Sequence, residues 1–195
     1  MTGTVSCCSG GNTFNGPDGN GFATGNTDIL SFGGISGIVH DSKTMFLVGV
    51  FLSDQEPTDP APERLDFSPA QANLALTPTQ ANFALAAAQT PDIFTQLAPL
   101  LHQVFFIGDG RTDTGSIQQF IVPDNATRLF LGFADALEFG SPSSQPGHYD
   151  DNVGQIQAIF TLTSRTTPIP EPNTWLLLSS GLIGIVLWHR RRWET

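Results

Sequence analysis

The sequence predicts a mainly β protein: an antiparallel sandwich with a helical or irregular insertion, followed by a C-terminal transmembrane helix. Three observations predict it. Met45 to Leu52 (MFLVGVFL) is a short apolar run, rich in β-branched and aromatic residues and bounded by polar turns, the pattern of a strand covered on both faces. Gln155 to Thr163 alternates Ile156, Ala158, Phe160 and Leu162 with other, mostly polar residues, so one face meets a core and the other water. Clusters of Gly, Pro, Asn and Asp separate such runs at short intervals, as they do in sandwiches.

Taken in order, residues 1–28 form a Gly/Asn-rich segment read as loop, with a strand signal only near Phe22. The stretch NGPDGNG within it reads as an ordinary turn. Cys7 and Cys8 are adjacent and are expected not to bond to each other, because a disulfide needs Cα atoms about 4.4–6.8 Å apart in a special geometry. The β domain runs over 29–165. After MFLVGVFL, residues 53–64 (SDQEPTDPAPER) hold three prolines and four acids and read as a surface loop. Residues 69–97 are alanine-rich and broken at Pro78 and Pro91, the mark of short helices inserted against the β domain.

Strand signals resume at His102 to Ile107 (HQVFFI) and turn at Gly108-Asp109-Gly110. A second strand covers Ser116 to Val122 and stops at Pro123-Asp124-Asn125. A third covers Thr127 to Phe133, with Leu129, Leu131 and Phe133 on one face. Residues 166–195 then form a tail of different character.

Charge narrows the function. The chain has a net charge of −10, and three of its eight bases are Arg190, Arg191 and Arg192. Binding to phosphate needs clustered Lys and Arg, so nucleic acid is excluded as a partner. Catalysis is not expected either. No HExxH, GxSxG, P-loop or dinucleotide fingerprint is present, and Ser42 beside His40-Asp41 cannot aim at its own neighbour as a nucleophile.

The informative loop lies between Phe133 and Gln155. It is far longer than a hairpin connection, and loops of this length are commonly functional. Asp135 follows one strand directly, and Gly147-His148-Tyr149-Asp150-Asp151-Asn152-Val153-Gly154 precedes the next. Calcium takes six to eight oxygen ligands from carboxylates, amides and backbone carbonyls. Asp135 and Asp151 offer carboxylates, Asn152 an amide oxygen and His148 its carbonyl. A solvated acidic loop accounts equally well for the residue types alone.

Residues 117–160 resemble the carbohydrate-binding β-sandwich of calcium-dependent galactophilic lectins and galactose-binding-like domains. The likeness rests on a hydrophobic strand ending in Asp135 and on Gly147, Tyr149, Asn152 and Gly154, which match a Gly-x-Tyr-x-Asn-Asn-x-Gly element with Asp151 in place of the first Asn. The resemblance implies calcium between the two elements and a further carbonyl from a turn after an early strand, for which Ser53 is the candidate. No sugar-contacting His or Gln aligns in 53–64, so the resemblance implies calcium more firmly than galactose.

The tail carries three unlike features in order: Pro170-Glu171-Pro172, the apolar run Trp175 to Trp188, and the basic cluster 189–192 with Arg190, Arg191 and Arg192. As a helix, the fourteen apolar residues span about 21 Å, short against a hydrocarbon core of about 30 Å. Trp at both edges suits the interfaces, and the arginines hold the cytoplasmic side. This arrangement resembles the PEP-CTERM sorting signal. The resemblance implies an exosortase, a membrane-embedded cysteine transpeptidase-like enzyme, as transient partner at the inner membrane. It also implies cleavage near the PEP motif and a Gram-negative host that makes exopolysaccharide and biofilm. Export needs a leader, yet MTGTVSCCSGGNTFNGPDG shows neither basic n-region nor apolar h-region, so a signal peptide is expected to be missing from this sequence. The expected function is an exported surface or matrix protein, a calcium-binding module associated with extracellular polysaccharide. The alternative is a purely structural surface protein with no sugar site.

Overall fold

The computed structural model describes residues 1–7, 14–19, 26–67, 94–135 and 151–163. The chain divides into two compact units, 1–159 and 160–195. Among the described residues the secondary structure is β throughout, in keeping with the mainly β expectation.

The described residues form ten strands: β1 (Thr2–Ser6), β2 (Thr27–Ile29), β3 (Ile38–His40), β4 (Leu47–Leu52), β5 (Leu65–Asp66), β6 (Gln96–Leu97), β7 (Val104–Phe106), β8 (Gln119–Phe120), β9 (Arg128–Phe133) and β10 (Val153–Gln157). They form four small sheets, ordered β1-β10, β2-β3-β5, β7-β4-β9 and β6-β8. Two pairings, β3 with β5 and β6 with β8, are parallel. The wholly antiparallel arrangement expected from sequence is corrected on that point. Period-two alternation reports which face of a strand is buried and carries no information on the direction of its neighbour.

β4 is the central strand of its sheet, hydrogen-bonded to β7 on one side and β9 on the other, both antiparallel. Its apolar run is nearly all buried, as a two-sided strand requires. Phe46, Phe51, Phe105 and Phe106 from this region share one core with Ile29, Ile38, Leu65, Phe67, Phe94 and Leu97. Phe46 and Phe106 meet tilted with centroids 5.1 Å apart, and Phe51 and Phe105 stack at 5.2 Å, separations at which aromatic pairs attract beyond their area.

Polar side chains tie the small sheets together. Ser36 Oγ accepts from Val104 N at 2.8 Å and Gln103 Nε2 donates to the Glu63 carbonyl at 2.8 Å. Arg64 Nη1 lies 2.5 Å from Asp28 Oδ1 and donates to the Ile29 carbonyl at 2.9 Å. Asp18 Oδ1 accepts from Asp109 N at 2.7 Å, which fixes the turn of residues 16–19 against the turn after β7. Both Asp-Gly stretches are thus turns, as their composition predicts.

Three local readings change. Thr2–Ser6, read as loop, is a strand, because β10 supplies hydrogen-bond partners that composition cannot announce. The segment read as insertion 69–97 ends in strand β6 with Phe94 buried in the core; its residues 69–93, with the predicted helices, lie outside the described residues. Cys7 is disulfide-bonded, and the only other cysteine is its neighbour Cys8. The expectation that the two stay apart is corrected. Cys7 stands just past the end of β1, where the chain leaves the geometry that sends successive side chains to opposite faces.

One close approach yields a test. A Cβ on Gly37 would stand 1.7 Å from the Ile29 carbonyl oxygen, a backbone atom on the neighbouring strand. Gly37→Ala is therefore expected to push β2 from β3 and to cost at least the roughly 1–3 kcal/mol of ordinary overpacking. A denaturant midpoint equal to wild type would contradict this.

Candidate functional site

The ends of the long loop are positioned by three strands. At the exit of β9, Ala134 N donates to the Phe46 carbonyl and Met45 N donates to the Ala134 carbonyl, each at 2.9 Å. Asp135 N then bonds the Phe133 carbonyl at 2.9 Å. This clamp leaves Asp135 only 2% exposed. At the entry of β10, Asp151 and Asn152 directly precede Val153, which lies opposite Ser6 of β1.

A small cluster joins the two ends. Val5, Cys7 and Met45 are buried together, with Phe133 of β9 and Ile156 of β10 packed on them. Met45 N donates to the carbonyl of Ala134, the residue before Asp135, and Cys7 follows Ser6, the partner of Val153. His148 lies outside the described residues. Among the described residues no group of three or more His, Cys, Asp or Glu stands together as a metal cluster.

The Asn152 Oδ1 atom is buried and makes no hydrogen bond among the described residues. A second amide shares this condition. Asn15, on residues read from sequence as plain loop, forms a β-bridge with Val5 through reciprocal backbone hydrogen bonds of 2.9 and 2.7 Å. Its Nδ2 reaches the Val5 carbonyl at 3.5 Å, while its Oδ1 is buried without a partner among the described residues. Asn15 is opposed to Val5 of β1, and Asn152 directly precedes Val153, the partner of Ser6 on the same strand. No local signal marks Asn15 in the sequence. The bridge to Val5 gives it its place.

Ser53 is elsewhere. In the antiparallel pair of β4 and β9, Leu52 lies opposite Arg128 and Leu47 opposite Phe133. Ser53 and Asp135 are thus at opposite ends of the pair, roughly 20 Å apart at the rise of an extended strand, and cannot share an ion bound at about 2.3–2.6 Å. The Ser53 carbonyl accepts from Arg128 Nε at 3.1 Å and also from Arg128 Nη2, and Arg128 lies 5.8 Å from the Phe130 ring centroid. A carbonyl already facing a guanidinium is a poor cation ligand. The assignment of Ser53 is corrected: the resemblance supplied a turn after an early strand, and strand direction puts that turn at the wrong end.

The remaining polar features are structural. His40 is buried, its ring 5.3 Å from that of Phe46 and 6.1 Å from that of Phe106, and its Nδ1 accepts from Ser42 N at 3.2 Å. It packs the core beside β4. No helix among the described residues is long and apolar enough to cross a membrane. Pro170, Glu171, Pro172, Arg190, Arg191 and Arg192, with the predicted helix 175–188, lie outside the described residues.

Comparison with curated proteins and with solved structures gave no match, and the lectin-like reading of the body gains no support from them. The tail is different. Residues 168–192 match the family model described as the PEP-CTERM protein-sorting motif, covering the PEP triplet, the apolar run and the arginines in one span. The chain therefore carries the sorting motif of an exosortase substrate, an exported protein anchored in the membrane until it is processed.

Proposed function

We propose that the β-rich body works at the surface or in the extracellular matrix of a Gram-negative bacterium. There it binds calcium at the base of the 136–150 loop and associates with exopolysaccharide. One observation carries the calcium reading: two buried amide oxygens, Asn15 Oδ1 and Asn152 Oδ1, lack hydrogen-bond partners among the described residues, beside the paired strands β1 and β10. An unmet buried oxygen costs about 1–3 kcal/mol, so such atoms call for a donor or a cation. The donor set fits calcium, which prefers hard oxygen ligands. Asp135, Asp151, Asn152 and Asn15 would hold the ion, with the His148 carbonyl implied by the lectin resemblance. Ser53 takes no part. Bound there, calcium would tie the exit of β9 to the entry of β10.

Ligand that binds only the folded state stabilises it by about 2.7 kcal/mol at a hundredfold excess over Kd. Extracellular calcium sites with Kd of about 10⁻⁴–10⁻³ M are still filled. Millimolar calcium is expected to raise the melting temperature of the protein and to be found bound by metal analysis. Asp135→Asn and Asn15→Leu should each abolish that increment while the protein still unfolds cooperatively. If wild type melts identically in calcium and in chelator, the reading fails. The polysaccharide half of the proposal is tested by co-sedimentation with host exopolysaccharide. The absence of Trp ahead of the tail and the single Tyr149 favour the purely structural alternative on this half alone.

A further inference from the structure

Among the described residues β9 is the edge strand of its sheet, and it is apolar. Leu129, Phe130 and Leu131 are 37%, 50% and 45% exposed, so both faces of the strand and its outer edge meet solvent. Natural edge strands are blunted by Lys, Pro, a bulge or an inward charge. β9 has none of these: its register with β4 runs unbroken over six residue pairs, and its one charge, Arg128, is drawn back to the Ser53 carbonyl.

The same chain holds a segment written as a strand and not used as one. Alternation predicts a strand through Thr163, yet β10 stops at Gln157. Beyond it Ile159 is 83% and Leu162 87% exposed. Neither element contains an acid, in a chain that carries 18. Two acidic copies repel least where both contacting stretches lack carboxylates, which selects these two surfaces for each other.

We propose that residues 158–163 of a second copy add as a strand to the outer edge of β9. Backbone hydrogen bonds would supply the adhesion, and Ile159, Phe160 and Leu162 would cover Leu129, Phe130 and Leu131, the β-augmentation mode of recognition. The contact is head-to-tail. Each copy retains one unused edge and one unused donor, so the assembly grows past two instead of closing as a two-fold dimer.

The test uses the full chain embedded singly in lipid nanodiscs, so that tails cannot meet in one bilayer, with disc association followed by light scattering. Wild type is expected to associate with rising concentration into species larger than pairs. Leu131→Lys blocks the edge and Leu162→Lys blocks the donor; both positions are exposed, so folding is retained, and each variant alone should stay single. Mixed in equal amounts, the two variants should form pairs and stop there, because one compatible edge and donor remain. Wild type that stays single overturns the proposal, as does self-association of Leu162→Lys, which would mean edge-to-edge pairing of β9. A mixture that fails to pair overturns it equally. The calcium reading is untouched by any of these outcomes.

Discussion

Phe106→Ala is expected to remove about 3–5 kcal/mol of stability, the cost of truncating a buried Phe. Phe106 is the ring on which three parts of the core converge. Its centroid lies 5.1 Å from that of Phe46, 5.7 Å from that of Phe67 and 6.1 Å from that of His40, and Lys43 Nζ stands 5.5 Å from it. Phe46 precedes β4 and Phe67 follows β5, so one truncation loosens two sheets from a shared core. Against a typical total of about 5–15 kcal/mol the loss is a large fraction, and a fall in melting temperature on the order of 10 °C should follow. Phe130→Ala is the control. Half exposed on β9, Phe130 should change stability by no more than about 0.5 kcal/mol. Equal effects of the two substitutions would mean that the core is not organised around Phe106.

The difference between these two phenylalanines shows what the sequence could and could not convey. MFLVGVFL is legible because a run apolar on every residue has only one good place, the centre of a sheet, and β4 occupies it. TRLFLGF looks nearly the same on the page. It forms a strand as predicted, but as an edge among the described residues, with Leu129, Phe130 and Leu131 exposed and only Phe133 packed on the core. Composition states that a segment prefers to be extended and buried; whether a neighbour arrives to bury it depends on the rest of the chain. β1 makes the converse point, since its strand exists only because β10 lies beside it, and TGTVS carries no alternation of its own.

The candidate site divides in the same way. Asp135 and the Asp151-Asn152 pair are offered by the sequence because they abut strands, and strand ends are fixed in space. Asn15 was not, because its position comes from a bridge to Val5 across ten residues of polar chain. Ser53 was misplaced because resemblance carried the notion of a turn after a strand without the direction of that strand. The Arg128 guanidinium at its carbonyl settles the matter locally: a cation already occupies that oxygen.

Replacing Pro170, Glu171 and Pro172 together with alanine is expected to leave the tail attached and the protein in the membrane fraction. The argument rests on length and charge. β10 ends at Gln157, and the motif match begins at residue 168, so ten residues separate the last strand from the sorting motif. Extended, they reach roughly 33–36 Å, enough for an enzyme at the membrane face to work on the PEP triplet without unfolding β10. The apolar run is short for a bilayer, and what holds it is the basic cluster. Each arginine costs about 2.5–3.5 kcal/mol at the membrane centre, so Arg190, Arg191 and Arg192 resist being pulled through by several times that of one. The tail is thus expected to remain in place until a bond on its outer side is cut. Mass spectrometry of wild type released from a host with an exosortase should find a C-terminal peptide ending near Pro172 and none beyond it. The alanine triplet should yield peptides from 173 onward in the membrane fraction and no released protein. Substituting all three arginines with glutamine should instead lower the processed fraction by letting the run slip. Released wild type that still carries Trp175 to Trp188 would show that the motif anchors the protein without being cleaved.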